Sequence, residues 1–206
     1  MDDLIITGGA YKLIADIKSN LSQEFEMKDL GDLHYCLGIY FWREYGKTFI
    51  TQIKYAREIL DIFQMSECKS ISNPLDQNVK LYNDDGSKEV DGTLYRQLAG
   101  ILDYLTTTRP DISYSINILS QFLAKPCETH WKDAKQVLRY LKGTINFGLL
   151  YTDAFDVQLA SYSDSNWAGN PNDGKSTSGY AFHIGSGVVS WRSKKKPTIS
   201  LSSIEA

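Results

Sequence analysis

The sequence predicts an α/β chain of the α+β kind, with helical and antiparallel stretches set apart along its length. Three observations predict it. Apolar residues recur at spacings of three and four through a long central block, from Tyr95 to Leu141. After Gly143 the pattern changes to period two, the signature of half-buried strands. Ahead of the helical block, Leu37 to Trp42 and Thr48 to Ile53 flank the turn residues Tyr45-Gly46-Lys47 and read as paired strands.

Taken in order, Leu4 to Ile6 reads as a short strand ended by Gly8-Gly9. Ile14, Ile17, Leu21 and Phe25 share one face of an amphipathic helix. After the strand pair, Tyr55 to Phe63 reads as a second helix. Ser72 to Gly92 is polar and rich in turn residues, so it is expected to be a loop and a subdomain boundary. Three helices should follow. The first carries Tyr95, Leu98, Leu102 and Leu105. The second starts at Pro110-Asp111, where proline's fixed φ suits the first helical position, and carries Ile112, Ile116 and Leu119. The third runs from about Thr129 to Lys142, with Trp131, Ala134, Leu138 and Leu141 on one stripe and Lys132, Lys135, Arg139 and Lys142 on the other. Strands are expected at 157–163, 178–184, 187–192 and 198–201, and Ser202 to Ala206 resembles the first turn of a helix.

Composition bounds the function only loosely. The chain has 206 residues, 42% hydrophobic and 23% charged, enough for one large or two small cores. A net charge of −3 does not mark a nucleic-acid binder, so local clusters must carry that argument. Cys36, Cys68 and Cys127 are odd in number and far apart, which suggests neither a zinc site nor a disulfide framework. No run is long enough to span a bilayer, and the acidic N-terminus lacks the order of a signal peptide, so an intracellular setting is expected.

Four constellations can carry chemistry. Asp2 and Asp3 adjoin the apolar run Leu4 to Ile6. Paired acids at a strand tip suit a two-metal phosphoryl-transfer site with ions about 4 Å apart, although such a site needs a further acid from another strand, here expected before residue 1. Solvated terminal charge is the plainer reading. Asp164 closes an alternating run of Val157, Leu159 and Ser161; it reads as a metal ligand or as a turn residue capping its own backbone. Trp191 with Arg192, Lys194, Lys195 and Lys196 suits phosphate contact beside a stacking ring, or a solvated loop. The basic stripe of residues 132–142 is open to the same two readings, and together the two patches would make a groove for a duplex backbone if they faced the same way. His34, His130 and His183 have no partner at metal-ligand spacing and read as structural or surface residues.

Several blocks in a fixed order then identify the chain as similar to one family. They are MDDLIITG, FEMKDLGDLHYCLGI, TQIKYAREIL, YRQLAGILDYLTTTRPDISYSINILSQF, HWKDAKQVLRYLKGT, YSDSNWAGN, KSTSGYAFHIGSGVVSWRSKKK and SLSSIEA. Together they cover nearly the whole chain. It resembles the C-terminal half of the reverse transcriptase, plus the start of the RNase H domain, of a copia-type LTR retrotransposon Pol polyprotein. The resemblance implies a truncated palm and start of the thumb over 1–75, a helical thumb and connection over 76–150, and the opening antiparallel sheet of an RNase H-like fold over 151–206. It makes Asp2 and Asp3 catalytic metal ligands at a palm hairpin tip, Leu30 to Ile39 the hairpin that holds the primer end, and Asp164 the first carboxylate of the RNase H site, with Mg²⁺ as the cofactor.

The departures matter as much. The family's second RNase H aspartate falls at Asn166, and its catalytic glutamate follows Ala206. With the family's upstream palm aspartate also outside the chain, both sites are expected to be cut and inactive. The expected partners are an RNA–DNA hybrid or another nucleic acid held by its phosphates, and the remaining N-terminal part of the polymerase; no membrane is expected.

Overall fold

The computed structural model describes residues 4–76, 79–153 and 157–202. The chain divides into two compact units, Met1–Leu37 and Gly38–Ala206. The predicted mixture of helix and antiparallel sheet is what forms.

In the first unit, the periodic run becomes helix α1, Tyr11–Glu24. None of its residues is buried, and Tyr11, Leu13 and Ile17 are exposed. Lys18 Nζ meets Asp29 at 3.1 Å. The Gly31 backbone N–H and the Lys18 ammonium, in that order, hold the Asp29 carboxyl below its usual range. The strand expected at Leu4–Ile6 does not form: among the described residues it has no ladder partner, and Leu4 and Ile5 are exposed. A strand exists only through pairing, so apolar content alone does not make one. A two-residue strand, β1 (Tyr35–Cys36), closes the unit.

The second unit opens on a hairpin of β2 (Ile39–Glu44) and β3 (Lys47–Thr51). Its register sets Trp42 opposite Phe49 and Glu44 opposite Lys47. Tyr45 and Gly46 both have positive φ, 44° and 71°, the type I′ geometry that matches strand twist. Strand β4, Leu149–Thr152, pairs antiparallel with the other side of β3. Four residues are too few to show a period, so this strand was not legible. Gly148 leads into it, and a Cβ there would collide with the Ile50 carbonyl and the Phe49 ring.

Among the described residues, the α-helices of this unit are α2 (Ile53–Ile62), α3 (Gly92–Leu105), α4 (Ser113–Leu119) and α5 (Glu128–Gly143). Asp91 caps α3 by accepting from the Thr93 and Leu94 backbone N–H groups at 2.8 and 3.2 Å. Pro110–Ile112 forms a 3₁₀ turn that leads into α4. Their apolar faces meet in one core: Ile59, Leu98, Leu102, Ile112, Val137, Leu138 and Leu141 are fully buried. Each such side chain contributes about 1.5–3 kcal/mol relative to exposure. Tyr95 is buried with them and donates its hydroxyl to the Leu119 carbonyl at 2.9 Å. Arg109, 2% exposed, binds Asp111 at 2.7 Å and the Thr144 carbonyl at 3.0 Å, tying the start of α4 to the end of α5.

The second sheet has the order β5 (Leu159–Asn166), β6 (Thr177–Ile184), β7 (Gly187–Lys195), all antiparallel. Helix α4 lies against β7. Two expectations are corrected. Strand β5 runs on through Asp164 to Asn166, because Asp164 pairs with Gly179 and Asn166 with Thr177, so Asp164 is a strand residue and not a turn cap. No strand forms at 198–201; the Ser200 carbonyl instead accepts the Trp167 indole N–H at 3.0 Å, and Leu201 is exposed. The expected helix start reaches into 203–206, outside the described residues. Among the described residues, no helix is long and apolar enough to cross a membrane.

Candidate nucleic-acid interface

Helix α5 begins at a capping box of unusual composition. Cys127 is the N-cap, and the side chain of His130 at N3 reaches back, its Nδ1 accepting the Cys127 backbone N–H at 3.1 Å. The Cys127 Sγ stands 3.2 Å from the same nitrogen. His130 Nε2 therefore carries the proton and donates to the Tyr82 carbonyl at 3.1 Å. The ring is fully buried and stacks on Phe122 at 3.9 Å. Burial lowers its pKa, against the smaller opposing effects of the Tyr82 carbonyl and Asp85. His130 is thus structural, as the sequence reading had it.

From this fixed start the helix sets its charges. Lys132, Lys135, Arg139 and Lys142 follow one side over about 15 Å at 1.5 Å per residue. Lys132 and Lys135 are exposed, and the Lys135 ammonium lies 5.8 Å from the Trp131 ring centre. Arg139 is partly engaged, donating from Nε to the Lys69 carbonyl at 2.8 Å. Asp133 turns the other way: it is 8% exposed, and its Oδ2 has no hydrogen-bond partner among the described residues. Burial raises its pKa, and the nearby Asp76 adds to that while Lys132 opposes it. The outward stripe is left cationic.

The run Trp191 to Lys196 does not form one patch. Strand alternation sends successive side chains to opposite faces. Trp191 is half-buried and donates its indole N–H to the Thr106 carbonyl at 3.1 Å, so it anchors the sheet rather than offering a free ring. Lys195 shares that face and binds Asp173 at 2.8 Å. Burial alone would raise the Asp173 carboxyl, but bonds from Lys195 and the Lys175 backbone N–H, with both ammonium charges, bring it below the usual range. Arg192 and Lys194 lie on the opposite face, exposed, with no ion pair among the described residues. Beside Arg192 stands Tyr180, and two residues further on Phe182; neither aromatic was singled out from the sequence, though their i, i+2 spacing on a strand was the available signal. The Lys196 backbone N–H bonds the Ser176 carbonyl at 2.8 Å.

Asp164 is exposed on the Trp191 face of β5. Its cross-strand neighbours are Gly179 and, one strand further, Ser193. Asn166, two residues on, folds its amide over Gly169, where a Cβ would collide with it. Asp2 and Asp3 lie outside the described residues. Mg²⁺ prefers six oxygen ligands in near-octahedral array, keeping several waters and taking one or two carboxylates with substrate phosphates, so the protein groups must converge on one point. Among the described residues no group of three or more His, Cys, Asp or Glu side chains stands together to hold a metal ion. Among the described residues, the donors around Asp164 therefore do not fit a divalent site by themselves.

Comparison with known proteins gives a consistent result. The family profile described as reverse transcriptase (RNA-dependent DNA polymerase) matches residues 1–77. The "Retrovirus-related Pol polyprotein from transposon RE1" of Arabidopsis thaliana is 41% identical over 206 residues, 100% of this chain and 14% of that protein. An uncharacterized mitochondrial protein of the same plant is 39% identical over 206 residues, 100% of this chain and 85% of that protein. A putative transposon Ty5-1 protein of Saccharomyces cerevisiae is 30% identical over 209 residues, 100% of this chain and 68% of that protein. The chain thus spans about one seventh of the length of the plant polyprotein. No solved structure matches.

Proposed function

The chain belongs to the copia-type retrotransposon Pol family, and from that premise we propose that its 206 residues are a reverse transcriptase–RNase H segment that is catalytically silent in isolation. In this reading 1–75 are the end of the palm and start of the thumb, 76–150 the rest of the thumb and connection, and 151–206 the opening of an RNase H-like domain. The observation that carries the reading is the neighbourhood of Asp164. Asn166 takes the place of a second carboxylate, and Gly179 and Ser193 offer no charge across the sheet. Carboxylate-held ions supply several kcal/mol of transition-state stabilisation only when the ligands converge. For Asp2 and Asp3 the reading stands on the sequence motif, with the rest of the palm as the partner that would complete them.

A second reading has its own observation: the cationic side of α5, from which the one central acid, Asp133, is turned away. A stripe of this kind suits the phosphate backbone of an RNA–DNA hybrid, read by shape with little base preference.

One experiment tests both. Purified protein is titrated with labelled hybrid duplex across a salt series with Mg²⁺ present, and the strands are resolved on a gel. The expected result is affinity that falls with salt, strands neither extended nor cut, and a log–log salt slope shallower by about 2 in Lys132→Gln/Lys135→Gln. Extension or cleavage abolished by Asp2→Asn or Asp164→Asn overturns the silent reading; salt-independent or absent binding overturns the second.

A further inference from the structure

The face of β5–β7 opposite Trp191 has no covering element among the described residues, and its chemistry is specific. The central strand β6 presents Tyr180 and Phe182 on this face, 40% and 39% exposed, with ring centres 5.4 Å apart. Arg192 stands directly opposite Tyr180 in the register, and Lys194 directly opposite Ser178. Ser165 and Ser178 share the face, their hydroxyls 3.3 Å apart. The alternate positions that look the same way, 159–165, 178–184 and 190–194, hold no aspartate or glutamate, in a chain whose net charge is −3. Both cations lack an ion-pair partner among the described residues.

We infer that this face is a stacking platform for unpaired bases of a nucleic-acid single strand. An aromatic ring accepts any base by its π-face, and a neighbouring cation meets the phosphate that follows it. Rings at i and i+2 of one strand, a cation one strand over and hydroxyls around them supply both parts on one surface. A second copy meeting this face with its own would set Arg192 and Lys194 against like charges, whereas the phosphates of a strand complement both cations. The inference takes only its ligand class from the function proposed above; it concerns a different surface and a different form of nucleic acid. A duplex, whose bases are already stacked on one another, offers the rings nothing.

The test uses the whole chain and fluorescence anisotropy with labelled oligo(rU) and oligo(dT), two arms that separate RNA from DNA strands, beside the hybrid duplex. Tyr180→Ala/Phe182→Ala should weaken single-strand binding roughly a hundredfold, taking about tenfold per ring, and leave duplex binding within about twofold. Tyr180→Leu/Phe182→Leu keeps an apolar face and should lose nearly as much, which a merely greasy contact would not. Arg192→Gln/Lys194→Gln should flatten the single-strand salt slope by about 1.4. Circular dichroism checks that each variant is folded, and the leucine pair stands in if the alanine pair is not. Single-strand affinity unchanged in both ring variants overturns the inference. So does self-association, seen by sedimentation, that the ring variants abolish in a protein that binds no single strand. Loss of duplex binding in Lys132→Gln/Lys135→Gln with single-strand binding intact shows that the two surfaces act separately, as expected here; parallel loss of both in that variant overturns the separate platform.

Discussion

Asp133 sits between Lys132 and Ala134 on α5 yet turns away from the lysines, and its Oδ2 has no hydrogen-bond partner among the described residues. Burying an unpaired carboxylate is costly, so the fold favours the protonated acid, and the pKa rises chiefly through burial. The sign of the pH dependence follows. The folded state holds the proton more tightly than the unfolded chain, so this residue's contribution is fully present below the ordinary aspartate pKa of about 3.9 and is lost as pH rises through the elevated folded value. Asp133→Asn removes the charge and keeps the shape. It should raise stability by about 1 kcal/mol at neutral pH and bring no gain in acid. Urea unfolding at neutral pH and near pH 4 reads both. An equal effect at the two pH values would mean that the charge is not the cost. Beyond Glu128 in the first turn, the side of α5 that carries Lys132, Lys135, Arg139 and Lys142 holds no acid, and spacing sets Asp133 off that stripe but does not by itself show that it is buried.

At the scale of the element, α5 depends on its first turn. The His130 ring is useful there only while neutral, because Nδ1 must accept the Cys127 N–H. Burial depresses its pKa, so the stability it contributes is present above the ordinary histidine value of about 6.5 and lost as pH falls through the lower folded value. Wild-type protein should therefore lose stability on acidification from neutral pH, by the order of 1 kcal/mol. His130→Gln, which keeps a side chain able to reach back at N3, should lack that step while starting somewhat less stable, for want of the Phe122 stack. Thermal melts across the range would show it; identical pH profiles for the two proteins would rule the capping role out. Elements with sustained periods were legible: α3 to α5 stand where Leu98, Ile116 and Leu138 put them. Short apolar runs were not, because pairing rather than composition decides them, so Leu4–Ile6 has no ladder partner among the described residues while Leu149–Thr152 is a strand. The same limit applies to the candidate site. Arg192 to Lys196 is one cluster in sequence and two faces in the sheet, and only the strand register sorts Lys195 to Asp173 and Arg192 to Tyr180.

Across the second unit as a whole, stability is unevenly distributed. The buried apolar side chains come from α2 to α5, the loops around them and β4; among the described residues from 157 onward, only the polar Asn170, Ser176 and Ser200 join the list of buried side chains. The β5–β7 sheet is held to the rest by hydrogen bonds: Trp191 to the Thr106 carbonyl at 3.1 Å, the Tyr151 hydroxyl to the Val188 carbonyl at 2.6 Å, and Asn172 to the Leu81 carbonyl at 3.0 Å. Such bonds contribute about 1 kcal/mol each, less than a buried leucine. Three strands packed against one helix, with no buried apolar side chain of their own among the described residues, stand near the lower limit for independent stability. The sheet should therefore open below the free energy of global unfolding, as a separate cooperative unit. Hydrogen exchange followed by mass spectrometry should find β5–β7 amides exchanging well before those of α3 and α5. Trp191→Phe, which keeps the ring but deletes the N–H, should speed sheet exchange roughly fivefold and leave the helices unchanged. A uniform acceleration across sheet and helices would show instead that the unit unfolds in one step. It would also mean that the bare face of β5–β7 is as rigid as the core, a surface fixed before any strand of nucleic acid reaches it rather than one ordered by it.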